Sequence, residues 1–185
     1  EMLDTYKFIE KYKRISIIGM EKNVGKTTLL NKLIADIGTN KKLGLTSIGR
    51  DGEDIDVVTN TDKPRIYVRR GSIIATGRNC LAKCDITKEI LYVTDFTTPM
   101  GSIVIVRALS DGYVDIAGPS YNKQVKIVVE LMEKFGSEIS IVDGALGRKS
   151  TAISDVSEAT ILSTGAALSL DMLKVVEETK KTVYF

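Results

Sequence analysis

The sequence predicts an α/β domain with a mainly parallel sheet, helices on its faces and a β-rich insertion in the middle of the chain. Three observations support this prediction. A short apolar run at 14–19 leads through a glycine-rich loop into an amphipathic segment and then a second apolar run. Short β-type runs follow between positions 65 and 118, and a later apolar run ends in an aspartate. The 185 residues are enough for one such domain with a full core.

The first three predicted elements form a strand–helix–strand unit. The run "RISIIG" at 14–19 is short, apolar and rich in β-branched residues, which is typical of a buried strand. The segment at 26–38 has leucine and isoleucine at helical spacing and ends in glycine, and "KLGLTSIG" at 42–49 predicts the second strand. Two strands joined by a helix in this order predict a parallel sheet with a right-handed crossover.

The middle of the chain predicts short strands, either as a hairpin-rich insertion or as an antiparallel extension of the sheet. One segment there, "CDITKEIL" at 84–91, predicts a short helix with Asp85 as its cap. The predicted strands are "RIYVRR" at 65–70, "SIIATG" at 72–77, "SIVIVRAL" at 102–109 and "YVDIAG" at 113–118.

The remainder of the chain predicts two helices and two strands, in the order helix, strand, strand, helix. Apolar spacing indicates a helix at 121–136 and another at 169–181, the latter with Ser169 as its cap and Asp171 in its first turn. We expect a single domain, and the final "TVYF" fits either a piece of a longer protein or a C-terminus packed against the sheet. The two predicted strands lie at 138–147 and 159–167.

The composition excludes several classes of function. Lys plus Arg is 26 and Asp plus Glu is 24, so the net charge of +2 gives no support for nucleic-acid binding by bulk charge. No apolar run approaches the roughly 20 residues that cross a bilayer, and the charged, amphipathic N-terminal segment does not resemble a signal peptide. We therefore expect a cytoplasmic protein without nucleic-acid or membrane partners.

The chain has no histidine, which excludes imidazole bases and Ser-His triads. Any general acid–base catalysis would therefore use Asp, Glu, Lys or water. The two cysteines, Cys80 and Cys84, are too few for a disulfide scaffold and do not make a zinc site alone. Two small buried thiols are the favoured interpretation over an intermolecular metal site or a redox pair.

The stretch "GMEKNVGKTT" at 19–28 predicts a phosphate-binding loop of the Walker A type. Glycines let backbone N–H groups point at a phosphate, and the start of a helix favours an anion. Lys26 would contact the β- and γ-phosphates, and the Thr27 hydroxyl would bind Mg²⁺. The predicted nucleotide-binding residues are Gly19, Lys22, Asn23, Val24, Gly25, Lys26, Thr27 and Thr28.

Lys22 has two interpretations. Some ATPases carry a second lysine in this loop, which crosses a dimer interface to the partner's nucleotide and would make this protein a homodimer. Here Asn23 and Val24 replace the two small residues of that pattern. The alternative is a lysine in solvent or in weak contact with the phosphate of its own chain.

Two aspartates are predicted to complete the site as Mg²⁺ ligands and, together with Lys26, as its catalytic residues. Asp143 ends the apolar run in "SIVDGALG", as a Walker B aspartate does, although an aspartate capping a loop has the same pattern. Asp51 follows the second strand and would orient water or complete the metal shell; a solvated acidic loop is the alternative. Arg148 is either a contact for transferred phosphate or a surface cation. No N/T-K-x-D sequence for guanine is found, so ATP is the expected nucleotide.

Two resemblances follow from these motifs. The opening "ISIIGMEKNVGKTTLLNKLI" resembles MobB-type proteins of molybdenum-cofactor biosynthesis and dethiobiotin-synthetase-like P-loop ligases. Most of the chain is similar to KamB-like proteins, which are encoded with adenosylcobalamin-dependent lysine and ornithine aminomutases. The second resemblance rests on "IGMEKNVGKTT", "SIGRDGED", "RIYVRRGSIIAT", "CDITKEIL", "TPMGSIVIVRALSDGYVDIAGPS", "VDGALGRKS" and "ILSTGA".

The KamB-like resemblance implies a P-loop ATPase that reactivates the aminomutase by letting damaged cobalamin leave. Its implied partners are the aminomutase and a companion reactivase subunit. Two other functions stay open. One is a small-molecule kinase or ATP-dependent ligase with the β-rich middle as its acceptor pocket, and the other is a nucleotide-gated binding module with negligible hydrolysis.

Overall fold

The computed structural model describes residues 5–21, 24–38, 40–49, 65–144 and 156–183. They form a mixed α/β fold with a large, mostly parallel sheet flanked by helices. The helices are α1 (Thr5–Ile9), α2 (Lys26–Gly38), α3 (Arg78–Leu81), α4 (Asn122–Lys134) and α5 (Met172–Val183). The strands are β1 (Arg14–Gly19), β2 (Leu43–Ser47), β3 (Ile66–Val68), β4 (Ile73–Gly77), β5 (Lys88–Thr98), β6 (Gly101–Ala108), β7 (Gly112–Val114), β8 (Ile139–Asp143) and β9 (Ala159–Ser163).

Seven strands form the main sheet, in the order β5-β6-β4-β2-β8-β1-β9. Five neighbouring strands of this order are parallel to one another, namely β4, β2, β8, β1 and β9. β6 pairs antiparallel with both β4 and β5. The prediction of an antiparallel extension is therefore confirmed for β6, which contains most of the predicted strand at 102–109, whereas no strand was predicted for β5. The predicted strand at 72–77 belongs instead to the parallel part, because β4 pairs with β2.

The two faces of the sheet carry separate hydrophobic clusters. On one face, α2 buries Leu30, Leu33, Ile34 and Ile37, which explains the helical spacing of its apolar residues. On the other face, α4 buries an apolar stripe against β4, β6 and β8. A bidentate ion pair of Arg14 with Glu133, at 2.7 and 2.8 Å, links the start of β1 to the end of α4, and this hydrogen bonding raises the pKa of Arg14.

In the middle of the chain, one prediction is wrong and two predicted strands are confirmed. The predicted helix at 84–91 is wrong, because residues 88–98 form β5, and Asp85 caps no helix there. The helix in this region is the short α3, which precedes the predicted one. The predicted strands at 65–70 and 113–118 contain β3 and β7, which pair with each other in a separate two-stranded sheet.

The cap of α5 also differs from the prediction. The helix begins at Met172, and the carboxylate of Asp171 accepts a hydrogen bond from the backbone N–H of Leu173 at 2.9 Å. Asp171 therefore caps the helix, while the hydroxyl of Ser169, two residues earlier, accepts a hydrogen bond from the N–H of Asp171.

The two cysteines lie near each other and form no disulfide. Cys80 is buried, and the half-buried thiol of Cys84 donates to the carbonyl oxygen of Cys80 at 3.3 Å. Burial raises the pKa of Cys84, which makes its thiol a weak nucleophile near neutral pH. Among the helices that the structure describes, none is long and apolar enough to cross a membrane.

Candidate functional site

The carboxyl ends of β8, β1 and β9 lie side by side at the same end of the sheet's strands. In the parallel register, Ile17 of β1 pairs with Asp143 of β8, and Gly19 pairs with Ser163 of β9. Parallel neighbours end on the same side, so pairing brings these distant segments together. Ligands of open α/β sheets bind at this edge.

The loop after β1 is held at both ends by β9. The backbone N–H of Met20 donates to the carbonyl oxygen of Ser163 at 2.9 Å, and the Ser163 hydroxyl donates to the carbonyl oxygen of Val24 at 2.6 Å. The side chain of Val24 is buried. Ser163 is not among the predicted site residues, because it lies in the middle of the strand predicted at 159–167, whereas in the structure β9 ends at Ser163.

The geometry favours glycine both at the end of β1 and just before α2. A Cβ on Gly19 would lie 3.0 Å from Cγ2 of Val24 and 3.3 Å from the carbonyl oxygen of Glu21. Gly25 has a φ of 78°, a left-handed conformation that favours glycine. Small residues at these two positions let the chain turn tightly from β1 into α2.

The spacing of the glycines departs from the Walker A pattern. Residues 20–24 separate Gly19 from Gly25, which is five residues, whereas G-x-x-x-x-G-K-[ST] has four. Met20 therefore stands where that pattern has its first glycine. The match is complete only from Gly25 through Lys26 to Thr27, and Gly19 is an additional glycine at the end of β1.

The ammonium of Lys26 joins the loop to the neighbouring strand β8. It lies 2.7 Å from Oδ1 of Asp143 and donates to the carbonyl oxygen of Gly144 at 3.1 Å. The exposed fractions of the Lys26 and Asp143 side chains are 28% and 16%. Oδ1 of Asp143 is buried, and no described residue gives it a well-aligned hydrogen bond, so the nearby cation is its compensation.

These residues fit a phosphate and a divalent cation. Lys26 and the backbone at the start of α2 would hold phosphate oxygens, while the Thr27 hydroxyl and the Asp143 carboxylate are the oxygen ligands that Mg²⁺ prefers. Thr27 is partly buried and Thr28 is exposed. Within the described ranges, no cluster of three or more acidic or thiol side chains could hold a metal alone. Bound Mg²⁺ would therefore take further ligands from phosphate and water.

Several predicted site residues lie outside the described part of the chain. They are Lys22, Asn23, Asp51 and Arg148. The structure therefore brings together Gly19, Val24, Gly25, Lys26 and Asp143, with Thr27 and Thr28 in the first turn of α2.

A second segment, residues 115–120, crosses the carboxyl ends of β2 and β4. The backbone N–H of Gly118 donates to the Ser47 hydroxyl at 2.9 Å, and Gly49 donates to the carbonyl oxygen of Pro119 at 2.9 Å. Gly77 donates to the carbonyl oxygen of Ala117 at 2.9 Å. No site residue was predicted in this segment, which lies at the same ends of the strands as Asp143.

Comparisons with protein-family models, with curated proteins and with solved structures gave no significant match.

Proposed function

We propose that this protein binds MgATP through a P-loop and hydrolyses it slowly as a helper of an adenosylcobalamin-dependent aminomutase. The observation that carries the nucleotide part is the 2.7 Å contact between Lys26 and Asp143, made where β1 turns into α2. A lysine at the start of a helix, beside a buried carboxylate on the adjacent strand tip, is the arrangement used to bind a phosphate and its metal ion.

Each residue has a definite role in this proposal. When nucleotide binds, Lys26 exchanges its contact with Asp143 for contacts with phosphate oxygens. Its positive charge is then paired in both the free and the nucleotide-bound protein. Mg²⁺ supplies charge neutralisation of the phosphates, and the released Asp143 carboxylate and the Thr27 hydroxyl hold it in place. Asp51 is proposed to orient the attacking water.

The client rests on the sequence resemblance to KamB-like proteins. In this proposal the present chain binds ATP and the aminomutase binds cobalamin. The chain has no histidine and therefore lacks the D-x-H-x-x-G cobalamin motif, which agrees with the cofactor belonging to the partner. The partners would be the aminomutase and a companion reactivase subunit, in the cytoplasm, where MgATP is available. Slow hydrolysis follows because an ATPase that waits for a client must complete its site only on docking.

A second candidate function is that of a small-molecule kinase or ATP-dependent ligase, or a MobB-like nucleotide-binding protein of cofactor biosynthesis. The observation that favours the kinase or ligase is the segment at 115–120, which hydrogen-bonds to Ser47 and Gly49 at the end of β2 and brings Ser120 next to Gly49. β2 is the neighbour of β8, which ends in Asp143. An acceptor held there would lie beside the proposed phosphate site.

The nucleotide part is tested by Lys26→Ala, with Lys32→Ala as the matched control. Lys32 lies on the same helix and pairs with Asp36 one turn later. Losing a charge-assisted contact costs about 2 kcal/mol, or roughly 30-fold in affinity. Isothermal titration with MgATP should show this loss for Lys26→Ala and unchanged affinity for Lys32→Ala. Equal affinities of the folded Lys26→Ala variant and the wild type would refute the P-loop.

The client part is tested by reactivation. An aminomutase is first inactivated by turnover, and this protein, its companion subunit, MgATP and fresh adenosylcobalamin are then added. Activity should return with wild type and Lys32→Ala, and should not return with Lys26→Ala. Recovery that is independent of this protein, together with ATP turnover stimulated strongly by a small carboxylate or hydroxy compound, would instead establish the kinase or ligase.

A further inference from the structure

The hydroxyl of Ser47 is held by the segment at 115–120 and has an unused proton. Ser47 is the last residue of β2 and is nearly buried, with 8% of the residue exposed. Its oxygen accepts a hydrogen bond from the backbone N–H of Gly118 at 2.9 Å. A serine hydroxyl also carries one donor, and no described residue accepts a hydrogen bond from the hydroxyl of Ser47.

Thr76, near the end of β4, holds the same segment but has no unused proton. Its hydroxyl accepts a hydrogen bond from the N–H of Ala117 at 2.9 Å and donates to the carbonyl oxygen of Asp115 at 3.1 Å. Ser47 makes only the first of these two kinds of bond with the described residues. A nearly buried donor without an acceptor is unfavourable, and a bound acceptor would remove this cost.

Ser47 lies beside Asp143 on the face of the sheet that carries α2. The two residues are partners in the parallel register of β2 and β8. Asp143 is also the partner of Ile17 in β1, and the side chain of Ile17 packs in the hydrophobic cluster that contains α2. Paired residues of neighbouring strands lie on the same face, so Ser47 and Asp143 share the α2 face, one strand spacing of about 4.8 Å apart.

The unused group of Ser47 suits an anionic oxygen better than a cation. Gly118 occupies one lone pair of the hydroxyl, and the group left over is a proton to donate. Phosphate oxygens are acceptors, and a hydrogen bond to a charged acceptor is stronger than one between neutral groups. The ammonium of Lys26, which contacts the adjacent Asp143, supplies positive charge for the same anion.

We propose that the Ser47 hydroxyl donates to the terminal phosphate of a bound nucleoside triphosphate, so that the site prefers a triphosphate to a diphosphate. This inference rests on the proposed nucleotide site and names the form of nucleotide that the site selects. The loop after β1 and the start of α2 would hold the inner phosphates, and the Lys26 ammonium already reaches β8, where it donates to the carbonyl oxygen of Gly144. β2 is the next strand beyond β8, so the phosphate at Ser47 is the outermost one.

The same hydroxyl connects the nucleotide to the segment at 115–120. A hydroxyl that donates to a phosphate oxygen becomes a better acceptor, because successive hydrogen bonds polarise one another. The bond from the N–H of Gly118 to Ser47 is therefore stronger with a triphosphate bound than with a diphosphate. Loss of the terminal phosphate would loosen the segment at this contact with the sheet.

Isothermal titration with two probes tests the direct contact. The probes are MgADP and the magnesium complex of AMP-PNP, a triphosphate that is not hydrolysed. Ser47→Ala should lose roughly tenfold in affinity for AMP-PNP, which is about 1.4 kcal/mol, and should bind MgADP as wild type does. Thr76→Val is the matched control, because it also removes a hydroxyl that holds the segment at 115–120, and it should bind both probes as wild type does.

Hydrogen exchange of the wild type is a second measurement, which needs no variant. A peptide covering 115–120 should exchange more slowly with AMP-PNP bound than with MgADP bound. Equal exchange with the two probes would overturn the inference and leave MgATP binding standing. So would an AMP-PNP affinity of Ser47→Ala equal to that of wild type, an equal loss for both probes, or the same loss in Thr76→Val. A wild type that binds neither probe would instead refute the proposed function, and this inference with it.

Discussion

Among the described glycines, Gly118 is the one at which an added Cβ would have the shortest contact. A Cβ added there would overlap the carbonyl oxygen of Ser47 and lie 2.8 Å from Oγ1 of Thr46. Both contacts are at the end of β2, where backbone atoms have little room to move. The glycine lets the segment at 115–120 approach the strand closely enough for its N–H to bond to the Ser47 hydroxyl.

We predict that Gly118→Ala lowers stability by about 3 kcal/mol, because the added methyl group forces backbone apart. For a domain of this size that is a fall in Tm of roughly 6–12 °C. Gly165→Ala is the control, since a Cβ there meets nothing within 4 Å. Differential scanning calorimetry of the two variants compares them directly, and equal Tm values would show that the segment at 115–120 moves freely.

The segment from Gly19 to Lys26 differs from the Walker A pattern by one additional residue. Gly25, Lys26 and Thr27 follow the pattern, but the extra residue between the glycines leaves Met20 at the first glycine position. What supports the candidate site is the contact from Lys26 to Asp143 on a neighbouring strand, a fact about position in space.

At the scale of elements, α5 depends on its own sequence more than on the core. None of its residues is buried, and Leu173 and Val176 are exposed. Its side-chain contact with the strand region is a hydrogen bond of 3.0 Å between the hydroxyls of Thr164 and Thr179. A helix with so little tertiary packing relies on its cap.

We predict that Asp171→Ala destabilises α5 without changing the stability of the whole molecule. Loss of a cap costs about 1 kcal/mol, so amide hydrogens of α5 should exchange roughly fivefold faster. The Tm should stay unchanged, because α5 contributes no buried residue to the core. Lys174→Ala, at an exposed position on the same helix, is the control for hydrogen exchange by mass spectrometry. Unchanged exchange in Asp171→Ala would contradict the capping role.

The element that sequence patterns misassigned is β5. Asp85 followed by Ile86 and Lys88 is compatible with a capped helical turn, and the apolar residues after it have no strict alternation. The alternation is broken because bulges shift the register of β5 between Ile90 and Tyr92 and again between Val93 and Thr97. Pairing with β6 decides the conformation, since the long ladder outweighs a weak local preference.

On the scale of the whole molecule, the order of strands divides the sheet into two regions. The parallel strands β8, β1 and β9 carry the proposed nucleotide site, and the antiparallel pair β6 and β5 forms the other end of the sheet. Parallel strands end on the same side and collect their loops there, which is why Gly19, Asp143 and Ser163 come together. The antiparallel end leaves an edge open to pairing.

The sequence by itself determined the strand–helix–strand unit at the N-terminus, the helices α2 and α4, and the strands β8 and β9, because local periodicity and glycine punctuation are encoded in neighbouring residues. It also indicated Lys26 and Asp143 as site residues. Only the tertiary structure decided that these two side chains touch, that Ser163 holds the loop, that β4 joins the parallel strands and that β5 is a bulged edge strand. Each of these depends on pairing between strands distant in the chain, and strand pairing is selected by packing across the whole sheet, which no local pattern records.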